Sequence, residues 1–132
     1  MINRQKILLI DDNEAFLEVG KLFIEQSVEE CTVIPFSSGK RCLEALREDF
    51  YSVIILDAHL GDISGLEILK KIREMDIDTP VIILSGNYKI QYVIEKEKAF
   101  YDRVFFVEKS SSISEVVKLI RILINDQVTS IF

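Results

Sequence analysis

Apolar residues in this chain fall in short, β-branched blocks that do not alternate with polar ones. Lys6–Ile10, Cys31–Phe36, Val53–Leu56, Val81–Leu84 and Val104–Val107 are each of strand length. A strand buried on both faces reads as a continuous apolar run, whereas a half-exposed strand alternates. Between the blocks the period becomes helical. Asn13 to about Gln26 predicts a first helix with Phe16, Val19 and Phe23 in its apolar stripe. Gly39–Arg47 predicts a second, with Cys42, Leu43 and Leu46 apolar, and Ser64–Arg73 a third, with Leu66, Ile68, Leu69 and Ile72. The polar stretch Gln91–Phe100 predicts a fourth. The fifth opens on Ser112-Ile113-Ser114-Glu115, a capping box, and runs to about Asn125. Its core face carries Ile113, Val117, Ile120 and Ile124, widened by Val116, Leu119 and Leu123. At about 100° per residue Ile122 lies nearly opposite that face.

Strands alternating with helices predict right-handed crossovers and a parallel sheet covered on both faces. Pro35 lacks an amide for the ladder and so favours an edge position for the second strand. Both features fit a doubly wound, five-stranded α/β sheet of order 2-1-3-4-5, the flavodoxin-like (βα)5 arrangement. The 132 residues make one domain, expected over residues 1–125 with a short tail at 126–132.

Composition narrows the function. Hydrophobic residues make up 48% and charged residues 29%, a globular balance. The net charge of −6 argues against direct DNA binding, which relies on basic patches. No apolar run is long enough to span a membrane, and Met1–Lys6 leads straight into a strand without a signal peptide. A cytoplasmic protein is expected. Cys31 and Cys42 fit neither a redox nor a zinc spacing and read as reduced, partly buried thiols.

The chemistry gathers at strand ends. Asp11 and Asp12 follow the first strand, Asp57 the third, Ser85 closes the fourth, and Lys109 stands just past the fifth. In a parallel sheet these ends share one edge, where open α/β sheets place their ligands. Three clustered carboxylates repel one another, and such hard oxygen ligands suit Mg²⁺. Taken singly, Asp11 and Asp12 read equally well as caps of the first helix, and Asp57 as a turn residue.

Together with Phe106, three residues before the lysine, the set resembles the receiver domain of bacterial two-component response regulators over essentially the whole chain. The resemblance implies that Asp57 is the phosphoacceptor, assisted by Lys109 and Ser85, in a protein that is not an enzyme but aids its own phosphorylation and dephosphorylation. It implies Mg²⁺ held by Asp11, Asp12, Asp57 and the backbone carbonyl of His59. Ser85 and Phe106 would be the switch, and His59 and Asn87 would flank the path of the hydrolytic water and tune dephosphorylation. The donor would be a histidine kinase or phosphotransfer protein. The face of the fourth helix, fifth strand and fifth helix would meet a downstream protein or pair two copies. Tyr88, Tyr92 and Tyr101 lie near that face in sequence.

The chain departs from the family pattern at Gly61 and Ser110, both usually Pro, and at Asp102-Arg103, usually a small pair. Gly61 is expected to loosen the loop after Asp57, and the Lys109–Ser110 bond to be trans. The alternative reading is a receiver-like protein-binding module that works without phosphorylation. A flavin protein would need a phosphate-binding loop where Asp11 and Asp12 would repel the ligand. A haloacid dehalogenase-type phosphatase would carry a second Asp where His59 stands.

Overall fold

The structure is a computed structural model that describes residues 4–86, 102–110 and 113–129. The elements are β1 (Gln5–Ile10), α1 (Glu14–Ser27), β2 (Cys31–Phe36), α2 (Gly39–Glu48), β3 (Val53–Asp57), α3 (Gly65–Glu74), β4 (Val81–Ser85), β5 (Val104–Glu108) and α4 (Ile113–Thr129). The helix predicted over Gln91–Phe100 and the cap predicted at Ser112 lie outside the described residues. Thus α4 is the helix predicted as the fifth. It continues one turn past Asn125, so residues 126–129 extend the helix. No helix among the described residues is long and apolar enough to cross a membrane.

The sheet is parallel throughout, in the order β2-β1-β3-β4-β5. Its pleat sends Ile7, Leu9, Val53, Ile55, Ile82 and Leu84 towards α1 and α4. Leu8, Ile10, Ile54, Leu56, Val81 and Ile83 point the other way, towards α2 and α3. Both faces are therefore cores, which is why the strand sequences do not alternate. Cys31 and Cys42 are free and wholly buried, one in each core. Burial pushes both thiols up, that of Cys42 to about 12.

The apolar stripe expected on α1 is rotated. Leu17, Gly20 and Ile24 are buried, whereas Val19 is 66% and Phe23 37% exposed, and Phe16 only borders the core. The cause lies in the edge strand. Lys21 Nζ donates to Val33 O at 2.7 Å, and Val33 N–H donates to Glu25 Oε2 at 2.9 Å. The two side chains also pair with each other at 2.7 Å. They occupy backbone groups that an edge strand would otherwise offer to another chain. Turning Lys21 and Glu25 to β2 turns Val19 and Phe23 outwards. Gly20 then faces the sheet, where an added Cβ would stand 3.2 Å from Leu9 Cδ2.

On α4 the helical periodicity holds but the core face is shifted, with the expected Ile113 and Ile124 only half-buried. Val116, Val117, Ile120 and Leu123 are buried and Ile122 is 56% exposed.

At the end of the sheet away from the carboxylates, one side chain gathers four carbonyls. Arg73 Nη1 donates to Ile77 O and Thr79 O, both at 2.9 Å. Its Nη2 donates to Asp102 O at 2.9 Å and, at a longer 3.4 Å, to Arg103 O. A planar, forked cation can reach four carbonyls on two segments, whereas an ammonium is one point of charge. Arg103 itself has φ 60°, a left-handed conformation that costs a non-glycine residue about 1 kcal/mol.

Arg73→Ala should lower unfolding free energy by about 2–3 kcal/mol, the range for hydrogen bonds to a charged group. Arg73→Lys should recover less than half of that. Urea titration measures both, and full recovery by lysine would show that charge alone acts there.

Candidate functional site

The end of β1 delivers the first carboxylate. Asp11 N–H donates to Phe36 O at 3.1 Å, extending the ladder by one bond. Its Oδ1 then accepts the Asn13 amide at 2.9 Å. Asn13, and neither aspartate, caps α1, because its side chain accepts from Phe16 N–H at 3.1 Å. The helix-cap reading of Asp11 and Asp12 is thereby corrected.

Asp57 ends β3 and is almost wholly buried. Its Oδ1 accepts the His59 amide at 3.0 Å, and its Oδ2 accepts Lys109 Nζ at 3.0 Å. The lysine backbone is fixed too, since its N–H donates to Ser85 O at 3.0 Å. Ser85 ends β4 with no exposed surface and pairs in register with Glu108. The predicted set Asp11, Asp12, Asp57, Ser85 and Lys109 therefore does meet at one edge. His59 is exposed and touches Asp57 through its amide. Phe106 lies half-buried on β5, in register with Ile83. Asn87, Tyr88, Tyr92 and Tyr101 lie outside the described residues.

Charge at this edge is unbalanced. Carboxylate oxygens of Asp11, Asp12 and Asp57 lie within 4.8 Å of one another. Lys109 Nζ is 3.2 Å from Asp11 Oδ2 and 3.0 Å from Asp57 Oδ2. Burial, reinforced by the neighbouring Asp57 charge, pushes the Asp11 carboxyl above its ordinary range. Burial opposes the Lys109 ammonium, but Asp57 and Asp11 outweigh it and hold its pKa above the ordinary lysine value. Asp11 Oδ2 is fully buried and, among the described residues, meets the Lys109 ammonium at 3.2 Å but no well-aligned hydrogen-bond donor. A buried, incompletely satisfied oxygen grouped with two other carboxylates fits a small hard cation.

Two loop residues were not singled out by their own chemistry. The Asp62 carboxylate accepts from the Ser38 hydroxyl at 3.0 Å and from the amides of Gly39 and Lys40 at 3.2 and 3.3 Å. It thus satisfies donors that the start of α2 leaves without helical partners. The loop expected to be loosened by Gly61 is pinned one residue later, and Gly61 does not adopt a positive φ. Gly65 lies under the acceptor, where an added Cβ would stand 2.6 Å from Asp57 O and 2.8 Å from Ala58 Cα. Only a glycine lets α3 start against that backbone. The Lys109–Ser110 bond is trans, as expected.

Comparison with known proteins agrees with this geometry. The family model of the response regulator receiver domain matches residues 7–121. The chain is 37% identical over 84 residues to the uncharacterized transcriptional regulatory protein YkoG of Bacillus subtilis, covering 64% of this chain and 36% of YkoG. It is 32% identical over 85 residues to the cell cycle transcriptional regulator CtrA of Caulobacter vibrioides, with the same coverages of 64% and 36%. The chain thus spans about a third of the length of these relatives. The receiver domain of the Francisella response regulator 1452 superposes with a TM-score of 0.82 at 28% identity, over 94% of this chain and 99% of that one. A CheY-like receiver domain protein from Methanospirillum hungatei shares the fold, with a TM-score of 0.83 at 20% identity over 97% and 99% of the two chains.

The Asp62 tie has a pH signature. Burial works against the carboxylate, but the Gly39 and Lys40 amides and the Ser38 hydroxyl outweigh it and hold its pKa below the ordinary 3.8. A depressed carboxyl contributes fully above its unfolded pKa and loses that contribution as pH falls through the folded one. The Gly39 and Lys40 amide resonances should therefore titrate together with a midpoint below 3.8. Asp62→Asn should abolish that titration. A midpoint at or above the ordinary value would refute the tie.

Proposed function

The chain belongs to the response regulator receiver domain family, and we propose that within it this protein is a working phosphoacceptor with Asp57 as the acceptor. Receiver domains interact with histidine kinases or phosphotransfer proteins, and we take one of these as the donor here. The observation that carries the reading is the Lys109 ammonium at 3.0 Å from Asp57 and 3.2 Å from Asp11 at the sheet edge. An Asp57 oxygen attacks the phosphorus of a phosphohistidine. The new P–O bond forms as the P–N bond breaks, and the leaving imidazole takes a proton from solvent. Lys109 offsets negative charge on the transferring group. Asp11, Asp12, Asp57 and the His59 carbonyl would hold Mg²⁺, which when bound supplies the remaining positive charge. The same charge inventory disfavours the module that works without phosphorylation, since pure docking needs no buried, underneutralised carboxylates.

Ser85 would hydrogen-bond a phosphoryl oxygen, and Phe106 on the adjacent strand would move inwards with it. This would change the face of β5 and α4 towards a downstream protein or a second copy. A ligand shifts such an equilibrium only through differential affinity for the two states, and Ser85 and Lys109 supply the difference. The curated relatives are named as transcriptional regulators. With a net charge of −6, we assign these residues no contact with DNA, and we place the protein in the cytoplasm. His59 and Asn87 would set the lifetime of the acyl phosphate by orienting the attacking water.

Incubation with Mg²⁺ and acetyl phosphate should add one phosphoryl group by intact mass. Asp57→Asn or removal of Mg²⁺ should abolish the addition, and full labelling of the variant would sink the assignment. On phosphorylation, amide exchange should change over β5 and α4 in the wild type. It should stay unchanged in Ser85→Ala, and a wild-type response in that variant would dismiss the switch. His59→Ala should alter the phosphorylated lifetime several-fold, and an unchanged lifetime would make His59 a spectator.

A further inference from the structure

Lys109 has a neighbour that the acidic edge does not explain. Its ammonium stands over the ring of Phe16, 5.7 Å from the centroid. Phe16 is the third residue of α1, and its backbone is set by the same turn that sets the acidic pair. Asp11 Oδ1 accepts the Asn13 amide, and the Asn13 side chain accepts the Phe16 amide. The ring and the Asp11 carboxylate are therefore placed by one short chain of hydrogen bonds. Beside the lysine stem lies a cavity of about 40 Å³ walled by Phe16, Leu84, Val107 and Val116. The stem is thus not gripped on every side. A flexible four-carbon side chain beside a void keeps its aim only through what its head meets, here the two carboxylates and the Phe16 ring.

We infer that Phe16 is a positioning residue for Lys109, its ring face holding the ammonium at the edge where Asp57 and Asp11 converge. The negative face of an aromatic ring attracts a cation within about 6 Å, and the effect grows as water is excluded. A ring so placed can also shield the aliphatic stem, as apolar surface does for other snorkelling lysines. This explains a half-buried phenylalanine at the rim of the core without requiring it to fill that core. The consequence for transfer rests on the phosphoacceptor reading, but the contact itself does not.

The test compares the full chain with Phe16→Tyr, which keeps the ring, and Phe16→Leu, which keeps apolar bulk alone. In the unphosphorylated protein the Lys109 ε-methylene protons should show an upfield ring-current shift. The shift should persist in Phe16→Tyr and vanish in Phe16→Leu. With acetyl phosphate and saturating Mg²⁺, Phe16→Leu should accept phosphate about fivefold more slowly, and Phe16→Tyr should stay near wild type. That factor is the rate equivalent of a ~1 kcal/mol cation–π contact. Absence of the shift in the wild type, or a Phe16→Leu rate equal to wild type, overturns the assignment. Equal slowing in both variants reduces Phe16 to packing and overturns it as well. A wild type that shows the shift but takes no phosphate overturns the phosphoacceptor reading and, with it, the role in transfer, while the contact stands.

Discussion

A single ammonium links the two buried carboxylates at the edge of this sheet. Lys109 lies about equally far from Asp57 and Asp11, at 3.0 and 3.2 Å, and so ties the end of β5 to the ends of β3 and β1. Burying charge is costly unless it is paired, and a pair pays only when its geometry is good. Among the described residues the pairing is incomplete, with three carboxylates meeting one cation. The surplus negative charge is what makes the edge receptive to a divalent cation. The rest of the fold supports this arrangement. The parallel order brings the strand ends into line, and both cores fix the height of each strand.

Elsewhere, loops and edges are held by side chains bonded to backbone. Arg73 gathers carbonyls before β4 and β5, Asp62 takes the amides at the start of α2, and Lys21 with Glu25 satisfies Val33 on the edge strand. Each tie joins a helix or loop to the backbone of another segment and replaces hydrogen bonds that water or another chain would otherwise supply. Two of them stand beside the chain's departures from the family pattern. Gly61 is followed by an anchoring aspartate, and the carbonyls of the larger Asp102-Arg103 pair are taken up by Arg73.

Rotating α1 to serve β2 has a second effect. It leaves Val19, Leu22 and Phe23 facing outwards while Phe16 reaches Lys109. A helix can present only one face to the sheet. With Lys21 and Glu25 committed to the edge strand, the apolar positions on the opposite flank are released to the surface and to the site.

The sequence by itself determined the architecture and the acidic edge. Five non-alternating apolar blocks separated by helical periods call for a two-faced parallel sheet, and Pro35 marked the outer strand. Asp11, Asp12, Asp57, Ser85 and Lys109 stand at strand ends, which parallel topology brings together whatever the loops do. Tertiary structure decided the rest, because it depends on partners far apart in the chain. The rotation of α1 could not be read from periodicity, since Leu17, Gly20 and Ile24 and the helix's more exposed apolar residues both follow helical spacing. The choice was made by a hydrogen bond to Val33. Asp62 looked like an ordinary loop residue until folding set it against the start of α2. The reason for Gly65, the Asp57 carbonyl 2.6 Å from a would-be Cβ, is a contact between an element and the strand before it. Phe16 carried only an apolar signal, and its place over an ammonium 93 residues later in the chain exists only in three dimensions.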